Sequence, residues 1–223
     1  MHVHVNAATS VDGKLSTRAR EQVAISGPAD FARVDRLRAA SDAVMVGVGT
    51  VLADDPSLTV DDAELRGERE ARGDPPEPAR VVADSRARTP TDARLLDDSA
   101  HTHLLVAETA PEERVAALRE RSQTSVVVAG AERVALPAAL DELATTGIET
   151  LMIEGGGELI ASLFEADLVD ELTVFLGPMV IGGRDAPTLV DGEGFRDPET
   201  FPRLSLASVD RLDEGVVLSW TVE

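Results

Sequence analysis

Three consecutive glycines stand where a predicted strand becomes a predicted helix. In LMIEGGGELIASLF, residues 151–164, the run Leu151–Ile153 is typical of a buried strand, and the apolar residues from 159 to 164 recur at helical spacing. Gly155–Gly157 therefore precede a helix, where free N–H groups and the helix dipole favour an anion. The stretch predicts a phosphate site. A tight turn with close helix packing is the alternative interpretation.

Glu154 lies directly before these glycines, at the end of the predicted strand. Partial burial favours the neutral form of a carboxyl group, so this side chain is a candidate for holding or donating a proton. A carboxylate that only accepts hydrogen bonds from neighbouring backbone N–H groups is the alternative.

A second glycine-containing turn follows another apolar strand, in VGVGTVLADDPSLTV at residues 46–60. Gly47 and Gly49 resemble the first turn, and Thr50 is expected to cap a short helix. Two such turns in one parallel sheet predict one long ligand that touches both. Asp54 and Asp55 are adjacent, so their side chains diverge, which favours a turn-forming or ribose-binding acid over a metal site.

Arginines follow a third predicted strand, in DSRAR at residues 84–88. Ser85, Arg86 and Arg88 together would bind a phosphate monoester, the group that distinguishes NADPH from NADH. A solvated charge pair that balances Asp84 and Asp92 is the competing interpretation.

Histidines and cysteines give no metal site. His2 and His4, and likewise His101 and His103, are spaced to share one face of a strand, but two histidines are an incomplete zinc site. The sequence has no cysteine, which excludes disulfides, thiolate nucleophiles and the Cys-containing zinc site of a nucleobase deaminase. We therefore predict no bound metal.

The elements that must position these residues alternate along the chain. Strands are predicted at about residues 2–8, 43–47, 80–85, 103–107, 125–129 and 150–154. Helices are predicted at about 29–41, 111–121, 137–146 and 157–166, and residues 61–79 read as an acidic, Pro-rich loop. The first helix is expected to bury Phe31 and Val34, with Arg38 oddly placed on the same stripe.

This alternation predicts an α/β fold with one mostly parallel central sheet flanked by helices. After residue 170, long β-type runs without a helix between them predict antiparallel strands at one side of the sheet. Without a linker or repeat, residues 1–223 are expected to form one domain.

The net charge of the chain indicates the kind of solution in which the protein is stable. The formal net charge is −20, and only one of the 21 basic residues, Lys14, is a lysine. Such a surface is typical of a cytoplasm with high salt, where screening relieves self-repulsion, so we predict a halophile's cytoplasmic protein. The negative field disfavours nucleic acid as a partner. No apolar run reaches the roughly 20 residues of a membrane helix, and the N-terminus lacks an export signal.

Several stretches in order resemble one family. VNAATSVDGKLS, RVVADSRARTP, LMIEGGGELIASLFEADLVDELTVFLGPMVIGG and VDGEGF, with the segment from ISGPADF to DPSLTV, are similar to the riboflavin-biosynthesis reductases, and most similar to their free-standing archaeal members. The resemblance covers about residues 2–222. It implies a dihydrofolate-reductase-like fold, NADPH as cofactor with NADH as an alternative donor, and a phosphorylated ribosylaminopyrimidine as substrate.

The resemblance also assigns residues. The cofactor is expected at Ala8, Thr50, Asp54, Asp84, Ser85, Arg86, Ala87, Gly130, Glu154, Gly155, Gly156 and Gly157. The substrate is expected at Asn6, Arg38, Leu58 and Glu154, and Asn6 and Glu154 are the catalytic candidates. Asn6 departs from the lysine of bacterial relatives, which leaves its acid–base role open.

The expected reaction is reduction of the ribosylamino side chain to a ribitylamino chain by hydride transfer to C1′ of a ring-opened Schiff base. The family also implies a homodimer, and the absence of cysteine implies a reductase without the deaminase of bacterial relatives. Two alternatives stay open, namely a folate-type reductase that acts on a pterin and a non-catalytic nucleotide-binding module.

Overall fold

The computed structural model describes residues 1–21 and 23–223. These residues divide into two compact units. The first unit consists of Met1 and Asp35–Met152, and the second consists of His2–Val34 and Ile153–Glu223. Within the described residues, no helix has both the length and the apolar character that a membrane crossing requires.

The first unit contains four complete strands that run parallel to one another. They are β2 (Ala43–Gly47), β3 (Ala79–Ala83), β4 (Thr102–Val106) and β5 (Thr124–Val128). Their order is β5-β4-β3-β2, and the first half of β6 (Thr150–Gly155) lies next to β2. The helices are α2 (Val48–Asp54), α3 (Ala63–Arg72), α4 (Glu112–Arg119) and α5 (Leu136–Ala144), with a short 3-10 turn at Arg94–Leu96.

The second unit begins with β1 (His2–Ser10) and the first half of α1 (Pro28–Ala40). The second half of β6 leads into α6 (Gly157–Glu165). The remaining elements are β7 (Glu171–Gly177), a 3-10 turn at Pro198–Thr200, β8 (Leu204–Leu212) and β9 (Gly215–Val222). β1 pairs with β7 in parallel, whereas β9 pairs antiparallel with both β7 and β8.

The predicted α/β fold with a mostly parallel sheet and antiparallel C-terminal strands is confirmed. The strands β2 and β4 are almost entirely buried, as expected for parallel strands covered on both faces. The predicted strands and helices lie within about two residues of the observed ones, which is the usual uncertainty at element ends.

The predicted loop at residues 61–79 is wrong in part, because α3 occupies its first half. Asp62 caps this helix by accepting a hydrogen bond from the Glu64 N–H at 2.8 Å, and Gly73 ends it in a left-handed conformation. The helix has few apolar residues, so periodicity alone does not reveal it.

The predicted apolar face of α1 is wrong for Phe31, whereas Val34 is half-buried. Phe31 is 60% exposed, whereas the carboxylates Asp30 and Asp35 are buried. Asp35 accepts two backbone hydrogen bonds, so its burial is compensated by polar partners rather than by apolar packing. Arg38 is half-buried on this helix, as its place in the sequence suggested.

Candidate functional site

The glycine turn lies where the sequence predicts it, in the second unit. Gly155 ends β6, Gly156 is the N-cap of α6 with φ 99°, and Gly157 is the first residue of the helix. The N-cap residue, Gly156, makes no side-chain hydrogen bond to this helix terminus. A helix N-terminus without a side-chain cap favours an anion.

The alternative interpretation, close packing, applies to Gly157. A Cβ atom at this position would lie 2.4 Å from the Thr188 carbonyl oxygen and 2.6 Å from Oδ2 of Asp191. The Asp191 N–H also donates to the Gly157 carbonyl at 3.1 Å. Glycine is therefore required at position 157, because residues 188 and 191 leave no room for a side chain. The Asp191 carboxylate also places a negative charge near the positive end of α6.

Glu154 and Ala8 are both half-buried in the second unit. Glu154 lies in β6, one residue before the glycine turn. Ala8 lies in β1 and packs against an apolar cluster formed by Ile25, Phe175 and Val217. Ala8 therefore has a packing role in the protein itself, in addition to the predicted contact with a cofactor.

Asn6 belongs to a charged network that sequence reasoning missed. Its side chain is 5% exposed, and Oδ1 accepts a hydrogen bond from Nη2 of Arg33 at 2.9 Å. Arg33 in turn pairs with the buried carboxylate of Asp30 at 2.8 Å. Because Arg33 donates to Oδ1, the amide Nδ2 of Asn6 is the group left to donate to a ligand. The only signal in the sequence is the Asp-x-x-Arg spacing on α1.

The second glycine-containing turn, in the first unit, differs from the prediction. The N-cap of α2 is Gly47, with no side-chain hydrogen bond, so the expected cap by Thr50 is wrong. Thr50 lies in the first turn of α2, half-buried, with its hydroxyl free of a capping role. Asp55 adopts a left-handed conformation at the end of α2, and its Oδ1 accepts from the Arg94 N–H at 2.8 Å. Desolvation raises the pKa of the neighbouring Asp54.

Asp84 is the buried polar centre of the turn that follows β3. Its Oδ2 accepts from the backbone N–H and the hydroxyl of Thr89, both at 2.7 Å. Its Oδ1 is buried and has no hydrogen-bond partner among the described residues. An unpaired carboxylate oxygen at this depth is costly, and a ligand hydroxyl or N–H group would compensate it.

The rest of this turn is bonded to two other segments of the first unit. Ser85 Oγ accepts from the Val134 N–H at 3.0 Å, and its hydroxyl hydrogen can still serve a ligand. Ala87 is buried with φ 52°, and its carbonyl accepts from Nε of Arg114 at 2.6 Å. An open depression of about 480 Å³ adjoins Ala87.

Arg86 and Arg88 are exposed. Within residues 1–21 and 23–223, neither forms a salt bridge with Asp84 or Asp92, which was the alternative interpretation of this cluster. Asp84 is bound by Thr89 instead. Both guanidinium groups are therefore free to meet an anion from solution.

Gly130 follows β5 with φ 86°. A Cβ atom there would lie 2.3 Å from the Arg133 carbonyl oxygen and 2.7 Å from the Ala135 nitrogen. The Gly130 carbonyl accepts from the Glu108 N–H at 2.9 Å. The turn itself requires glycine here, independently of any ligand.

Arg38 and Leu58, the predicted substrate residues of the first unit, are connected by one short segment. Nη1 of Arg38 donates to the Thr59 carbonyl at 2.8 Å. Leu58 is only 2% exposed and has φ 54°, a conformation that is rare for leucine. Leu58 thus offers little surface to a ligand, whereas the half-buried Arg38 offers more.

His2 and His4 lie in β1 and His103 lies in β4, whereas His101 directly precedes β4. His103 is 7% exposed, and its Nδ1 lies 2.8 Å from Oγ of Ser125, which also lies 3.1 Å from Nε2 of His101. His2 lies close to Asp170 and Glu171 near the surface. In the part of the chain that the structure describes, no cluster of three or more His, Asp or Glu residues is arranged to hold a metal ion.

Comparison with known proteins places these features in one family. The family model described as "RibD C-terminal domain" matches residues 1–218. A 2,5-diamino-6-ribosylamino-4(3H)-pyrimidinone 5′-phosphate reductase from Archaeoglobus fulgidus is 49% identical over 218 residues, which cover 98% of this chain and 96% of the relative. The reductase of the same name from Methanothermobacter thermautotrophicus is 48% identical over 222 residues, covering 100% of this chain and 98% of the relative.

Solved structures agree on the fold. A pyrimidine reductase-like protein from Corynebacterium diphtheriae superposes with a TM-score of 0.86 at 18% identity, covering 100% of this chain and 92% of that structure. Both archaeal relatives are named as reductases, which confirms the predicted enzyme class. Because the family model matches nearly the whole length, the chain belongs to the RibD C-terminal domain family.

Proposed function

We propose that this protein reduces the ribosylamino side chain of 2,5-diamino-6-(5-phosphoribosylamino)pyrimidin-4(3H)-one to the ribitylamino form, in riboflavin biosynthesis. The observation that carries this proposal is the 49% identity to the Archaeoglobus fulgidus reductase, which extends over 96% of that protein's length. This identity and coverage support one shared fold and one shared reaction.

NADPH is the proposed hydride donor, and NADH is the alternative. In the first unit, Asp84–Ala87, Thr50, Asp54 and Gly130 are the proposed cofactor residues. The unpaired Oδ1 of Asp84, the free guanidinium of Arg86 and the hydroxyl of Ser85 suit the hydroxyl and phosphate groups of a dinucleotide. In the second unit, the uncapped terminus of α6 at Gly155–Gly157 suits a phosphate, with Ala8 and Glu154 beside the cofactor.

The chemistry demands little of the side chains. Ring opening breaks the C1′–O4′ bond: the nitrogen gives up its proton, O4′ takes a proton, and a C1′=N Schiff base remains. A bound nicotinamide cofactor would supply the hydride that adds to C1′, and the nitrogen takes a proton back, so that the net change is one hydride and one proton. The protein has to hold the reacting atoms together and exclude water.

Three residues are proposed to act on the substrate. The half-buried Glu154 carboxyl moves the proton, and the Nδ2 amide of Asn6, oriented by Arg33, binds the sugar. Arg38 binds the 5′-phosphate through its guanidinium. Leu58 contributes the backbone segment next to Arg38 rather than an open surface.

The decisive assay mixes the purified chain with NADPH and the phosphorylated ribosylaminopyrimidine in molar KCl and follows oxidation of the cofactor. We expect turnover with this substrate and none with a pterin. Arg38→Ala should lower kcat/KM by about ten- to a hundred-fold, because a charge-assisted phosphate contact contributes roughly 1.5–3 kcal/mol. Arg119→Ala, which removes an exposed arginine from α4, is the matched control.

The alternatives give different results in the same assay. Turnover of a pterin but not of the phosphorylated compound would identify a folate-type reductase. Binding of NADPH without turnover of either compound would identify a nucleotide-binding module. Either result rejects the proposal.

We also propose that the chain forms a homodimer. β8 and β9 carry three apolar cross-strand pairs on one face, Leu204–Val222, Leu206–Trp220 and Val209–Leu218. Leu206 and Val209 are 59% and 58% exposed in the single chain, and such a contiguous apolar face is typical of a subunit interface. Light scattering should give twice the mass of 23.6 kDa, and Leu206→Asp should give the monomer mass. A monomeric wild-type chain would reject this part.

We propose, finally, that residues 1–223 act as one reductase domain in a salt-rich cytoplasm. The supporting observation is the net charge of −20, whose self-repulsion is relieved only when salt screens it. Activity should therefore rise from low to molar KCl, and unchanged activity at low salt would contradict a halophilic enzyme.

A further inference from the structure

The segment at residues 58–62, between α2 and α3, has no regular secondary structure, yet its backbone is fixed by side chains. Six backbone N–H and carbonyl groups in its last four residues bond to side chains of other segments. The four side chains that bind this backbone are all charged, namely Asp35, Arg38, Arg66 and Glu77. An irregular segment held in this way has a single preferred conformation, because each buried polar group has one partner.

Asp35 makes the two-point contact of this set. Its Oδ1 accepts from the Asp61 N–H and its Oδ2 accepts from the Asp62 N–H, both at 2.8 Å. The side chain is 7% exposed, so water competes little with these bonds. Since both carboxylate oxygens are used, Asp35 fixes the direction of the backbone as well as its position.

The same segment holds Arg38 from the other side. Asp35 and Arg38 lie three residues apart on α1 and are therefore neighbours on the same face of the helix. The Thr59 carbonyl accepts from Nη1 of Arg38 at 2.8 Å. Between these contacts, Val60 is fixed by Glu77, which accepts from its N–H at 2.7 Å, and by Arg66, which donates to its carbonyl at 2.5 Å.

The backbone of Leu58 indicates that the conformation of the segment is imposed by its surroundings. Its φ of 54° is unfavourable for a residue with a Cβ atom, and such a conformation persists only where surrounding contacts impose it. The buried Leu58 side chain anchors one end, and the Asp35 carboxylate anchors the other.

We propose that Asp35 is a positioning residue for substrate binding, which acts through segment 58–62 to hold the Arg38 guanidinium in place. This rests on the proposed function, in which Arg38 binds the substrate phosphate. Asp35 itself touches no substrate. Loss of its carboxylate frees the backbone of residues 61 and 62, the Thr59 carbonyl moves with it, and Arg38 loses the partner that fixes one of its nitrogens.

The test is Asp35→Asn, which keeps the shape of the side chain but removes its charge and one of its two acceptors. Each variant is assayed with the 5′-phosphorylated substrate and with its dephosphorylated counterpart. For Asp35→Asn we expect KM for the phosphorylated substrate to rise about tenfold with little change in kcat, and KM for the dephosphorylated one to stay unchanged. Glu68→Gln is the matched control, because it removes one charge from an exposed side chain of α3.

The double variant with Arg38→Ala separates positioning from general stability. If Asp35 acts through Arg38, then Asp35→Asn adds little to the phosphate-specific loss once Arg38 is absent. Equal losses with both substrates, or full additivity with Arg38→Ala, would overturn the proposal.

Hydrogen exchange gives a readout that does not depend on activity. The amides of Asp61 and Asp62 should exchange at least tenfold faster in Asp35→Asn than in the wild type, while amides of β4 stay unchanged. Unchanged exchange would overturn the contact between Asp35 and the segment. A third outcome is possible, in which the two amides exchange faster in Asp35→Asn but the wild type does not turn over the phosphorylated substrate. That outcome would reject the proposed function and keep the contact between Asp35 and the segment.

Discussion

The buried His103 should make the stability of this protein fall as the pH is lowered. Burial, and to a smaller extent the charge of the adjacent His101, lower the pKa of His103 from 6.5 to about 4. Its ring centroid lies 4.6 Å from that of His101, and its Nδ1 meets the Ser125 hydroxyl at 2.8 Å. The neutral ring is therefore favoured in the folded protein.

The sign and the magnitude follow from proton linkage. Between pH 6.5 and about 4, the unfolded chain binds a proton at this histidine that the folded chain does not bind. His103 therefore does not destabilise the folded protein above pH 6.5, and it lowers the unfolding free energy progressively as the pH falls towards 4. A pKa difference of about 2.5 units, at 1.36 kcal/mol per unit, corresponds to about 3 kcal/mol of unfolding free energy.

Urea unfolding at constant molar KCl measures this effect, with wild type and His103→Asn compared at each pH. The carboxylates titrate in the same range in both proteins, so the difference between the two pH profiles isolates the histidine. We expect the wild type to lose about 3 kcal/mol more than the variant between about pH 7 and pH 4. Parallel profiles for wild type and His103→Asn would refute the reasoning.

Three further predictions concern other positions. Arg86→Ala should raise KM for NADPH about ten- to a hundred-fold and leave KM for NADH nearly unchanged, and equal effects on both cofactors in steady-state assays would contradict a phosphate contact. Gly147→Ala should lower the unfolding free energy by roughly 1 kcal/mol, because alanine is strained at its positive φ. Gly130→Ala should lower it by more, because a Cβ atom at Gly130 would also collide with backbone atoms. Equal midpoints of urea unfolding for the two variants would disprove this. Asp12→Asn should lower the unfolding midpoint at neutral pH. This difference should close between pH 3.8 and about 2, because hydrogen bonds from the Ser10 hydroxyl and the Ile181 N–H lower the pKa of Asp12 to about 2, and a gap that persists at the lower pH would argue against these bonds.

Local sequence patterns predicted most of the elements. The strands around Ala43–Gly47 and Thr150–Gly155 have apolar runs bounded by turn residues, and the helix that begins at Gly157 has a strong apolar periodicity. These signals depend on residues close in the chain, so they can be read without the tertiary structure. The Pro-rich composition of residues 61–79 hid α3, whose stability comes from its caps and from contacts with distant residues rather than from an apolar stripe.

The candidate site was predicted in part. The positions of the glycine turn and of the Asp84–Ala87 turn each follow from the end of the predicted strand that precedes them. The partners within each turn did not follow. Thr89 binds Asp84, and Asp191 lies against Gly157, although nothing in either local sequence pairs them.

The amino-acid sequence by itself determined the alternation of strands and helices, the charge of −20 and the family resemblance, because composition and short-range spacing are properties of the chain. The tertiary structure alone decided which polar groups are satisfied within the protein and which are left for a ligand. Oδ1 of Asn6 accepts a hydrogen bond from Arg33, and the space beside Gly157 is occupied by Thr188 and Asp191. Oδ1 of Asp84 has no hydrogen-bond partner among the described residues. Burial and hydrogen bonding are set by residues brought together from distant parts of the chain, and their pairing is not encoded in any local pattern.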